Sequence, residues 1–400
     1  MNNTEICSKV MGHRESYYLR WYHEKPIFVT TKRRDEIRKL HEVLYKAIEY
    51  MGIHYKEYVD TYMPLDSKIM EILDYQSQFP YRAGTYRPDY IVTEDGELKL
   101  CEITSRFFAH GIFSSYFAEC DANRFMAKYP GHTREVRFEE MISYMRKLVD
   151  GYDEIYVLKS SDRTNEIPLY EAYYAYIGKK VHILEAEEVE SNIENWKGKM
   201  IFSALNQHDL LGFSMDTLKT MMDSKMINDF RTTFLVHDKR FMRLWFEDVF
   251  TSNFLTEEET EFLRSHSIET YICKEKPSIL QDAYTNKDQY ILKHYCLGKS
   301  EKVYAGLLTD NAAWQFLFDS GQIEDMILQP FIKQRVYPTV WEGQAFDDYI
   351  CGMMLCVNDQ FFDNGLVRTS SLPVTNVGDD RKACMIMTDD PFLLSKGDVL

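Results

Sequence analysis

The 400-residue sequence predicts an α/β chain of the α+β kind. Three observations carry that expectation. Residues 153–189 alternate strand, helix and strand patterns. Residues 288–370 are rich in short apolar runs bounded by turns. Residues 32–60 place apolar side chains at helical spacing.

Taken in order, Ile37, Leu40, Val43, Leu44, Ala47 and Ile48 line one helical face, and Gly52 reads as the stop. A second helix is expected over 65–77, with Asp66 as its N-cap. A hairpin follows, with strands 89–93 and 97–103 joined by Glu94-Asp95-Gly96. The aromatic segment 107–117 suits either a pocket wall or core, and core is the commoner use. "DEIYVL", "NEIPLYEAYYAYIGKK" and "KVHILEAEEV" form a βαβ unit, and "MIFSAL" adds a strand to its small parallel sheet. No G-x-G-x-x-G accompanies these strands. Residues 214–265 read as helical, with Asp238 and Thr256 as N-caps and a capping box from Thr256 to Glu259. The strands "QYILKHYC", "KVYAGLL", "MILQPFIKQ", "DYICGMMLCVND" and "GLVRTS" close the chain, interrupted by the helix "DNAAWQFLFDS".

Composition narrows the function classes. A chain of this length builds roughly two or three packed units. Its net charge of −16 argues against a general nucleic-acid binder, because phosphate affinity needs a basic surface, and leaves room for a basic pocket inside an acidic shell. No run approaches the roughly eighteen apolar residues needed to span a bilayer, and the first residues lack the form of a signal peptide. A cytoplasmic chain with no membrane partner is expected. The eight cysteines form no C-x-x-C and the histidines no H-x-x-x-H, so neither a disulfide framework nor a zinc site is expected. The sequence is silent on oligomeric state.

Four constellations can carry chemistry. Lys293 sits mid-strand before a loop of Gly298, Lys299, Ser300 and Lys302, a fixed cation followed by a basic flap; an ordinary hairpin with solvated lysines uses the same residues. "ILQPFIK" breaks at Gln329-Pro330, which frees backbone groups beside Phe331 and Ile332 for a flat ligand edge; most such strands are edge strands. Arg87 and Asp89 lie two apart on one strand, as do Glu102 and Thr104 on its partner, so each pair shares a face. Two carboxylates and a hydroxyl there suit Mg2+, whereas a surface salt bridge of about 0–1 kcal/mol is the plain alternative. Finally, Arg368 in "DNGLVRTSSLPVTNVG" suits either an anion clamp or a structural ion pair.

In this order the motifs resemble the circularly permuted ATP-grasp ligases related to the glutathionylspermidine synthase C-terminal (synthetase) domain. Arg87-x-Asp89 and Glu102-x-Thr104 match that family's metal hairpin, with Thr104 where the family has asparagine. Tyr290–Lys293 and Gly298–Gly306 look like its lysine strand and lid, "LQPFI" like its hinge, and Gly365, Arg368, Asn376 and Gly378 like its ending. The resemblance implies an ATP-grasp-like fold, circularly permuted, with a helical segment at 1–80, a metal-site hairpin and helix at 81–150, a pre-ATP-grasp βαβ unit at 151–225 and nucleotide-binding lobes at 226–400. It further implies an ATP- and Mg2+-dependent carboxylate–amine ligase acting on small-molecule or peptide substrates. In that reading Lys293, Gly298, Lys299, Ser300, Lys302, Gln329, Pro330, Phe331 and Ile332 hold ATP. Asp89, Glu102 and Thr104 hold the metal, and Arg87 and Arg368 are catalytic. The alternatives within this reading are a catalytically silent ATP-binding regulatory module and a phosphotransferase that forms no amide.

Overall fold

A computed structural model describes all residues except 107, 109, 162–165, 299, 363–365, 376–378 and 380. Strands are numbered along the chain. Ten of them build the largest sheet: β1 (Ile27–Val29), β2 (Thr85–Val92), β3 (Leu98–Thr104), and, after the smaller sheets, β12 (Tyr337–Trp341), β13 (Gln344–Met353), β14 (Cys356–Val357), β15 (Gln360–Phe361), β16 (Leu366–Ser370), β17 (Arg381–Met387) and β18 (Asp398–Val399). A parallel sheet holds β4 (Glu154–Lys159), β5 (Lys180–Glu185), β6 (Met200–Ala204) and β7 (Lys225–Ile227) in the order β5-β4-β6-β7. An antiparallel sheet holds β8 (Tyr271–Ile272), β9 (Tyr290–His294), β10 (Val303–Ala305) and β11 (Met326–Pro330) in the order β10-β9-β11-β8.

The parallel sheet follows from the βαβ pattern: the Ile167–Tyr176 helix returns the chain so that β5 can lie parallel to β4. Its β4 and β6 are apolar on both faces, as strands covered on two sides must be. The segment after the hairpin is core. Phe108, Ile112, Phe113 and Phe117 are fully buried, and Phe108 and Phe113 pack on Tyr170. The Phe108 N–H donates to Ser203 O, which ties the largest sheet's connection to the end of β6.

Two local expectations are corrected. The helix expected from 32 onward does not stop at Gly52 but runs Thr31–His54, its N-cap hydroxyl of Thr30 accepting from the Arg33 N–H. Gly52 is needed for close approach: a Cβ there would lie 2.5 Å from the Tyr81 ring. The stretch after Asp238 is not α-helical but a 3-10 run, Lys239–Phe246, preceded by a π turn at Thr232–Val236. Asp229 and Asp238 explain it. Each carboxylate accepts from both the backbone N–H and the guanidinium of the arginine two residues on, Arg231 and Arg240, and so closes a tight turn. The other caps differ from each other. Thr256 and Glu259 form a reciprocal capping box, whereas Asp66 occupies its N-cap position without a side-chain capping bond.

Candidate functional site

Register assembles the site. In the hairpin Arg87 stands opposite Thr104 and Asp89 opposite Glu102, and a bulge follows at Asp89/Tyr90. On its other side β2 pairs with β13, where Gly352 leaves room for the Tyr90 ring; a Cβ there would come within 2.1 Å of it. Arg87 grips Asp89 with two donors, Nε to Oδ1 at 2.7 Å and Nη2 to Oδ2 at 2.9 Å. From β16, Arg368 Nη2 donates to the same Oδ2 at 2.6 Å. Asp89 is wholly buried.

Glu102 faces a second pair of cations. Lys239 Nζ lies 3.6 Å from Glu102 Oε2 and donates to Leu297 O at 2.6 Å. Lys293 Nζ donates to Cys101 O at 3.2 Å, next to Glu102 in the chain. Burial pushes the Glu102 carboxyl up, but Lys239, Lys293, Arg368 and Arg87 together outweigh it and hold the group at about 2. His237 behaves oppositely. Burial, then Lys239 and Arg106, push it down to about 3, and the neutral ring donates through Nε2 to Cys296 O at 3.1 Å while Nδ1 accepts from the Ser105 N–H at 3.4 Å.

The sign of the Glu102 shift gives a prediction. A depressed carboxyl contributes its stability above its ordinary value near 4.5 and loses it as pH falls toward about 2. The expected contribution is on the order of 3 kcal/mol. Urea unfolding across that window should show a steep loss for the native chain and a flatter curve for Glu102→Gln; parallel curves would refute it.

The charged floor opens into a cavity of about 100 Å³ between the largest sheet and the β8–β11 sheet. Lys293, Arg368, Glu102, Cys101 and Cys351 line its polar side, and Ile91, Ile291, Val303, Phe331 and Ile332 its apolar side. Ser300 and Pro330 also line it. Other expected members lie elsewhere. Lys302 is exposed, Gly298 packs against the Arg106 guanidinium, and Gln329 is buried with Nε2 donating to Thr270 Oγ1. Thr104 pairs across from Arg87 without reaching the cavity wall. Lys299, Gly365, Asn376 and Gly378 lie outside the described residues. Pro330 does not free the ladder as expected, because the Phe331 N–H is already donated to Gln289 O at 2.7 Å.

Lys239, Cys101 and Cys351 were not anticipated. For Lys239 a signal existed: Asp-x-Arg occurs twice within a dozen residues, at 229–231 and 238–240, and marks tight charged turns more than helix. For the cysteines none did, since their meeting depends on two distant strands.

A family model described as AnkG N-terminal domain matches residues 40–235, just under half of the chain. No curated protein matches it. The matched stretch holds the hairpin and the βαβ unit that carried the ATP-grasp resemblance, and it is similar to a different family. The circularly permuted ATP-grasp fold and family are therefore corrected. So are the ligase activity, its silent and phosphotransferase variants, the carboxylate and amine substrates, and ATP and Mg2+ as cofactors. The charge pattern gives the physical reason for the metal. Among the described residues no group of three or more His, Cys, Asp or Glu can hold a metal ion. Both Asp89 oxygens are occupied by guanidinium donors, and four cations already surround the two carboxylates, so a divalent ion would meet net repulsion. Among the described residues no helix is long and apolar enough to cross a membrane.

Proposed function

We propose that this chain is a non-catalytic binding module whose interior cleft receives an oxyanion. One observation carries the reading: Lys293 and Arg368 line a cavity in which cations outnumber carboxylates, inside a protein of net charge −16. An acidic exterior with a cationic interior excludes nonspecific polyanions yet rewards a single carboxylate or phosphate group that can enter. Lys293 supports the role best, because among the described residues its ammonium donates to a single carbonyl, Cys101 O at 3.2 Å, and it sits on a fixed strand. Arg87, Asp89 and Glu102 hold the cations in place. The proposal keeps the division of the chain at 1–80, 81–150, 151–225 and 226–400. It also places the chain in the cytoplasm, where its eight free thiols stay reduced.

The oxyanion comes either free in solution or on an acidic side chain of a partner protein. Calorimetry with inorganic phosphate and citrate tests the first source, and titration with a polyglutamate peptide tests the second. Lys293→Met is expected to weaken whichever binding occurs by about tenfold or more, the scale of one charge-assisted hydrogen bond. Failure of all three probes to bind, or binding indifferent to Lys293→Met, overturns the proposal.

A further inference from the structure

The cavity is charged at one end and apolar at the other. On β9, Ile291 and Lys293 lie two residues apart, about 7 Å along the strand, and both side chains line the cavity. Val303 stands opposite Lys293 on β10. Pro330 pairs with Tyr290 at the Ile291 end of β9, so Phe331 and Ile332 lie beyond that end. The largest sheet repeats the order. Asp89 sits opposite Glu102, Ile91 follows two residues on, and the Thr93–Gln334 bridge joins the chain after Ile332 to the same end of β2.

Building on the oxyanion reading, we propose that the ligand is a monocarboxylate borne on a short apolar group, either a free acid of that kind or the C-terminal residue of a partner chain. Charge selects the head group. Arg87 and Arg368 are spent on Asp89, and Lys239 lies beside Glu102. That leaves the Lys293 ammonium, bonded to a carbonyl alone among the described residues, to answer one negative charge. A carboxylate carries one, whereas a phosphate group carries about −1.5 to −2. The apolar end selects the body, since filling it is favourable only for hydrocarbon removed from water. An acidic side chain offers little of it, because its carboxylate leads straight back to polar backbone. Volume limits the length. The cavity's 100 Å³ or so falls short of the roughly 150 Å³ that takes up benzene, so the group is short.

Calorimetry on the intact chain provides the test, using the unbranched acids from acetate to octanoate, and a peptide ending in valine against the same peptide amidated. Affinity is expected to rise about threefold to fourfold per added carbon from acetate, peak at or before pentanoate and fall by octanoate. Ile291→Val makes room for one more carbon and should move the optimum one carbon longer. Lys293→Met should weaken every acid by about tenfold or more. Tighter binding of the valine peptide than of its amide and of the best free acid assigns the C-terminal source, and the reverse order assigns the free acid. Acetate or phosphate binding with affinity flat along the series overturns the apolar-bodied ligand while the oxyanion reading stands. Tighter binding of polyglutamate than of any acid or the valine peptide does the same. Failure of every acid, phosphate and peptide to bind overturns both.

Discussion

Asp89→Ala is expected to cost about 3–5 kcal/mol of folding stability, the range for removing one partner from a buried ion pair. Asp89 is fully buried and answers two guanidiniums, Arg87 from its own strand and Arg368 from β16. Its loss leaves both cations desolvated in a region that Lys239 and Lys293 already make positive. Urea unfolding should show a lower midpoint at unchanged slope. Adding Arg368→Met to Asp89→Ala should recover part of the loss, because the second change removes one stranded charge. A single-variant loss under about 1 kcal/mol would mean that water reaches the pair and the site is not the enclosed floor described.

Asp348→Ala is expected to be of similar size, about 3–5 kcal/mol. Arg381 donates to Asp348 Oδ2 through Nε at 3.0 Å and to Oδ1 through Nη2 at 2.6 Å. Ser371 Oγ donates to Oδ1 at 3.1 Å, and His23 Nε2 lies 3.2 Å from Oδ2. Burial acts against the charge, yet His23 and Arg381 hold the carboxyl far below its usual range. The cluster pins the segment before β1 to β13 and β17, which are distant in sequence. Asp379 is the internal control. It also meets Arg381, at 3.0 Å, but is partly exposed, so Asp379→Ala should cost no more than about 1 kcal/mol. Equal losses for the two variants would refute the assignment of the clamp to Asp348.

Much of the local architecture was legible because it rests on short-range periodicity. The parallel unit, the capping box at Thr256 and the strand holding Lys293 could be read from alternation and cap chemistry within a few residues. Gly52 misled because glycine in a helix signals a stop unless a neighbour presses close, and Tyr81 is that neighbour. The 238–246 stretch misled because its apolar spacing suits a helix, while the Asp238–Arg240 clamp spends the local donors on a tight turn. The ATP-grasp reading failed differently. It rested on the order of weak motifs, and order says nothing about whether a carboxylate meets a metal or a guanidinium.

The sequence by itself determined which side chains share a strand face: Arg87 with Asp89, and Glu102 with Thr104, because side chains alternate along a strand. Only the tertiary structure decided what those faces meet. Register set Asp89 opposite Glu102, β16 brought in Arg368, and the turn at Asp238 brought in Lys239. Charge is a long-range property, so the excess of cations that leaves no place for a metal at this hairpin could emerge only when strands far apart in the chain came together.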